Sequence, residues 1–168
     1  PDLSNINKQS ALTEKELHGA IQCMLTFSHL TNEEAEPIFG PYLRGLMLLS
    51  KADIHLRTED QARDAFAEAL QAAARHFAGW DGSSEIESCI DKGLATIIDD
   101  KATRDDLLQI LCSEWQSAEG RLVDAVRAKL LCSLYLLQHA RTDFARRLAE
   151  YEATHSSEGT KVHSPRAP

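Results

Sequence analysis

The sequence predicts an all-α protein, a compact bundle of five or six mostly antiparallel helices. Three observations predict it. Leucine and alanine supply 22 residues each, against three valines and nine isoleucines. β-branched side chains lose χ1 freedom against the preceding helical turn, so that balance favours helix over strand. Apolar residues recur every three or four positions along most of the chain, and no useful stretch alternates as a strand would. Four segments fit a capping box: Thr13 to Glu16, Thr31 to Glu34, Thr58 to Gln61 and Ser84 to Glu87. In that motif the hydroxyl accepts from the third amide of the helix, whose own side chain reaches back to the cap amide.

The first helix is expected over about 14–28, with Leu17, Ile21, Met24 and Leu25 on one side. The second starts near Asn32 and reaches about Leu56. A third, over about 59–78, carries Ala62, Phe66, Leu70, Ala73 and Phe77, and Gly79 and Gly82 end it. The fourth covers about 85–98, with Ile86, Ile90, Leu94 and Ile97. A start at Thr103, with Asp105 and Asp106 near the positive helix end, opens a fifth with Leu107, Leu108, Leu111 and Trp115. The sixth, over about 121–153, carries Leu122, Val126, Leu130, Leu134, Leu137, Phe144 and Leu148. Connections this short make neighbouring helices antiparallel.

At 168 residues the chain is one domain in size. Residues 1–11 read as a flexible N-terminal segment and 12–153 as a single helical bundle. Residues 154–168, polar and with two prolines and a glycine, read as a disordered tail.

The run PIFGPYLRGLMLLSKADIHL, residues 37–56, is the most apolar of the chain. Arg44, Lys51 and Asp53 interrupt it, which excludes a membrane span. Pro41 lacks an amide donor and its ring clashes with the carbonyl of Pro37, so a kink is expected at Gly40–Pro41, with a new helix starting at Pro41. Beyond it, Leu43, Leu46, Met47, Leu49, Ala52, Ile54 and Leu56 spread around the helix, the pattern of a central buried helix. Gly45 lets a neighbouring helix approach closely. Arg44 is expected to snorkel or to pair with an acid of the protein.

Net charge is −8, which argues against nucleic acid as a partner. The segment 121–150 opposes six basic residues to three acidic ones, +3, leaving −11 for the rest, so the last helix is a basic element on an acidic body. The four cysteines, Cys23, Cys89, Cys112 and Cys132, are widely spaced among apolar residues. Buried free thiols are the expected state, in keeping with a cytoplasmic protein or one delivered from the cytoplasm without a classical signal peptide.

No metal or cofactor motif emerges. Glu152 and His155 have the Glu-x-x-His spacing of di-metal bundles but no partner motif. His139 and Asp143, and Glu14 and His18, have i, i+4 spacing and read as solvated pairs. Phe39, Tyr42, Arg44, Trp80 and Trp115 are the binding candidates. The first three flank the proline break, and tryptophan is enriched at binding hot spots. The function this implies is a non-enzymatic protein–protein interaction module, of an adaptor, chaperone-like or effector type. Its partner is another protein or a second copy of the chain. The alternative is a helical ligand-binding or sensor domain holding a small apolar or acidic ligand in an apolar pocket beside the kinked second helix.

Overall fold

The computed structural model describes residues 14–27, 29–51, 58–112 and 118–166. Among them there are six helices and no strand: α1 (Glu14–Thr26), α2 (Asn32–Ser50), α3 (Thr58–Ala78), α4 (Ile86–Leu94), α5 (Lys101–Cys112) and α6 (Ala118–Arg166). The all-α bundle read from composition and periodicity is the fold found.

The caps are partly as read. Thr31 caps α2 with a complete box: its hydroxyl accepts from the Glu34 amide, and the Glu34 carboxylate accepts from the Thr31 amide. The Thr31 hydroxyl, which also donates to the Glu34 carboxylate at 2.9 Å, and then the Thr31 amide hold the Glu34 carboxyl below its ordinary range. Ser84 does not cap α4. Its amide and hydroxyl both donate to Asp81 Oδ1, at 2.8 and 2.9 Å, so the turn after α3 has taken the group that the box required. α4 starts from Glu85 with no side-chain cap. α5 begins at Lys101, two residues before Thr103. The Asp100 carboxylate accepts from the Ala102 amide and from the Thr103 hydroxyl. Thr13 lies outside the described residues. Gly79 does end α3, with φ 68°, a left-handed conformation that a side chain resists.

α2 corrects the sequence in two ways. Its helical assignment runs unbroken through Pro37 and Pro41, so no new helix starts at Pro41. Two prolines four apart remove two amide donors from one line of the helix, so the damage stays on a single side and the remaining bonds carry the chain past it. α2 is also buried on one face and not all round. Ile38, Phe39, Pro41, Tyr42, Gly45 and Leu46 are buried, while Gly40, Arg44 and Met47 are exposed.

The core lies between α2, α3 and α6. α3 brings Ala62, Ala65, Phe66, Ala69, Leu70, Ala73 and Ala74, its alanines keeping the approach to both neighbours short. α4 adds Ile90 and Leu94. α6 adds Ala125, Ala128, Leu131, Cys132, Tyr135 and Leu136. Each large aliphatic side chain buried here contributes about 1.5–3 kcal/mol. Gly45 sits against Phe66 of α3, the close approach that its lack of a side chain permits.

α6 spans 49 residues and continues past Thr154, where the composition reads as a tail. It has two apolar faces. Of the residues marked on it by period, Leu122, Val126, Leu130, Leu137, Phe144 and Leu148 are all exposed, and Leu134 is half-buried. The core face is a different set, rich in alanine and holding Cys132 and Tyr135. From Phe144 to His155 every residue of the helix is exposed.

Candidate functional site

The outward face of α6 is ordered by a simple repeat. Val123, Leu130, Leu137, Phe144 and Tyr151 stand seven residues apart, and each is 41–59% exposed. Val126 and Leu148 widen the column. Seven residues are nearly two turns, so the column runs along one side of the helix and drifts about 20° per repeat. From Val123 to Tyr151, 28 steps of the helix, it is about 42 Å long. Large apolar side chains in such an unbroken row are uncommon on a protein surface and mark interaction sites.

Part of this column forms the wall of a groove of about 540 Å³. Leu137, Ala140 and Phe144 of α6 line one side and Gly19, Gln22 and Thr26 of α1 the other. Tyr42, Leu46 and Ser133 complete the lining, with the Tyr42 hydroxyl and Ser133 Oγ 2.8 Å apart in a hydrogen bond. The Tyr42 ring stands edge-on to Phe66, with centroids 6.0 Å apart. At one end the Arg147 guanidinium donates to the Thr26 carbonyl at 3.0 Å and ties the last turn of α1 to α6. Lys15, Lys129 and Arg141 also line the groove, and no carboxylate does among the residues whose side chains are described.

Of the residues singled out in the sequence, Tyr42 is the one the groove holds. Phe39 is buried behind it, its ring 5.8 Å from that of Phe27. Arg44 points away and pairs with Glu68 of α3 on the surface. Such an exposed pair contributes about 0–1 kcal/mol. Trp80 packs beside the core. Its indole donates to the Ser84 carbonyl at 2.8 Å, and the Arg75 guanidinium lies 5.2 Å from its ring. Trp115 lies outside the described residues. Leu130, Leu137 and Phe144 of the column stand among the apolar positions read from the sequence, Val123 and Tyr151 do not, and nothing there says that the smaller residues between them face the core.

Histidines gather at the other side of α6. His29 approaches Asp143 at 3.4 Å and His76 approaches Glu34 at 3.6 Å. His139 does not pair with Asp143 as its spacing suggests. Its ring stacks on Phe77 at 4.5 Å and meets Tyr135 edge-on at 4.6 Å, leaving Nε2 buried without a hydrogen-bond partner. Asp143 is taken instead by Arg146, Arg147 and His29. Burial first, and the nearby charge of His76 second, push the His139 imidazole down to about 4. The unfolded chain therefore takes up a proton that the folded chain refuses, and stability falls as pH drops from about 6.5 to about 4. With the ring partly exposed, the expected loss is about 1–2 kcal/mol. Urea denaturation at pH 7 and pH 5 should show it, and His139→Phe, which keeps the stacking, should show a smaller loss. An equal loss in both would place the acid sensitivity elsewhere.

Cys89 and Cys132 are not in a disulfide. Among the described residues no group of three His, Cys, Asp or Glu side chains is placed to hold a metal ion, and no helix is long and apolar enough to cross a membrane. The chain matches no known family, no curated protein and no solved structure.

Proposed function

We propose that this protein is a non-enzymatic interaction module and that the outward face of α6 is where it docks a helix of another protein. The observation that carries the proposal is the column of Val123, Leu130, Leu137, Phe144 and Tyr151. A seven-residue apolar repeat is the pattern by which one helix receives another, each side chain entering a space between residues of the partner. Covering this column removes large apolar side chains from water, which is the main favourable term in association.

The test is capture from an extract of cells that express the protein, followed by mass spectrometry. It is run on the wild type and on a Leu130→Glu/Leu137→Glu variant whose helicity has been verified by circular dichroism. At least one protein should be retained by the wild type and lost by the variant. If both retain the same set, the column is not the docking face.

The groove favours a second reading, a ligand-binding domain. Its 540 Å³ is within the range of about 300–1,000 Å³ that small-molecule sites occupy, and it lies beside α2 at Tyr42 and Leu46. The two readings part at Val123 and Tyr151, which lie beyond the groove on the same column. A ligand confined to the groove leaves substitutions there silent, whereas a docked helix does not.

A further inference from the structure

We infer that the occupant of the α6 column and groove is an acidic amphipathic helix of a partner protein. This rests on the reading of α6 as a docking face and goes further by assigning the chemistry of what docks. The chain is acidic as a whole, at net charge −8, yet its apolar groove is lined by Lys15, Lys129 and Arg141 and by no carboxylate among the residues whose side chains are described, which leaves out Glu14 and Glu16. Arg127 and Arg141, both exposed, lie along one edge of the column, and Lys129 and Glu150 lie along the other. From Val123 to Tyr151 the acids of α6 are Asp124, Asp143 and Glu150. Asp124 is buried, Asp143 is already engaged by Arg146, Arg147 and His29, and Glu150 is paired with Arg146. The column is thus an apolar stripe with a cationic margin on its Arg127 and Arg141 side. A partner helix whose own apolar stripe is flanked by Asp and Glu matches it in both respects, since charges flanking such a seam set which partner is accepted.

Length separates a helix from a small anionic amphiphile. The groove spans Lys129 to Phe144 along α6, about 22 Å, but the column runs about 42 Å, from Val123 to Tyr151. A ligand confined to the groove would leave Val123, Val126, Leu148 and Tyr151 in water, and a helix of about four heptads covers them all. Charge separates a foreign helix from a second copy. Two α6 columns packed face to face bring the Arg127 and Arg141 edges against each other, and like charges across an interface suppress association. The remaining rival is an anionic membrane surface, to which a basic amphipathic face also adheres.

The test uses two fluorescent 28-residue peptides with identical leucine heptads, one flanked by glutamate and one by lysine. Binding is followed by anisotropy at 50 mM and 300 mM salt. Vesicles containing anionic phosphatidylglycerol and light scattering of the protein alone run beside it. The glutamate peptide should bind at least tenfold more tightly than the lysine peptide at low salt and weaken as salt rises. Arg127→Glu/Arg141→Glu should reverse the preference while the fold, followed by circular dichroism, stays intact. Equal binding of the two peptides would overturn the acidic partner and leave helix docking standing. So would a dimer that Leu137→Glu dissociates. Adhesion to anionic vesicles with no binding of either peptide would replace the helix by a membrane surface. If neither peptide binds, no dimer forms and vesicles are not bound, the docking face itself falls.

Discussion

Gly45→Ala should lower the stability of the fold by about 1–3 kcal/mol, and Phe66→Ala by about 3–5 kcal/mol, yet the double variant should cost less than the two together. A Cβ on Gly45 would stand 2.7 Å from Phe66 Cε1 and 2.8 Å from Cδ1 and Cζ, well inside contact distance. The ring cannot swing clear. It is 1% exposed, and Tyr42 lies against it edge-on. The added methyl must therefore push α2 away from α3. Once Phe66 is an alanine, the same methyl enters the space the ring has left, and residues in contact with one cavity are not additive. Urea denaturation of the two single variants and the double variant measures the coupling. Strictly additive costs would mean that Gly45 and Phe66 do not meet. The contact also bears on function, because Tyr42 joins the Phe66 ring to the lining of the groove.

The helix-level architecture was legible because its signals are local. The stripe of α3 lies in the core as its spacing says, the Thr31 box forms, Gly79 stops α3 and Gly45 marks a close approach. Misreadings arose where two local signals compete for one group or where a choice is tertiary. Ser84 has one side chain, and Asp81, three residues earlier, took it. Pro41 alone argues for a break, but with Pro37 one turn before it the lost bonds lie on one side and α2 continues. The largest omission is on α6. Its big apolar residues repeat with helical period, and so do Ala125, Ala128, Cys132 and Tyr135 on another face. Periodicity shows that a helix has a stripe and does not choose between two stripes. Burial chose the one with more small residues, because α3 approaches there, and the stripe of large ones was left outside as the candidate site. The groove required three helices from distant parts of the sequence, so Tyr42 could be suspected singly while its setting between α1 and α6 could not.

Arg104→Ala should lower stability by about 1.5–3 kcal/mol, and Arg104→Lys should recover little of it. The guanidinium holds the connection between α4 and α5. Nε donates to Asp91 Oδ1 at 2.8 Å, and Nη1 donates to the carbonyls of Ile98 and Asp99 at 2.8 and 3.0 Å. The arginine side chain is 13% exposed, so the bonds are largely screened from water and the groups stranded by its removal have few substitutes. Lysine keeps the charge but replaces a planar fork by a single ammonium on a flexible stem, which cannot reach a carboxylate and two carbonyls in the same geometry. The damage should be local first, with hydrogen exchange accelerating at the amides of Thr96 to Ile98, which now bond back to Gly93 and Leu94. None of the partners of Arg104 lines the groove or stands on the α6 column. The variant should therefore unfold at lower urea while binding the glutamate-flanked peptide like the wild type when folded. Full recovery by lysine would reduce the clamp to simple charge pairing. A loss of peptide binding in the folded variant would tie the α4–α5 end of the bundle to the docking face, against the separation of the two that the structure implies.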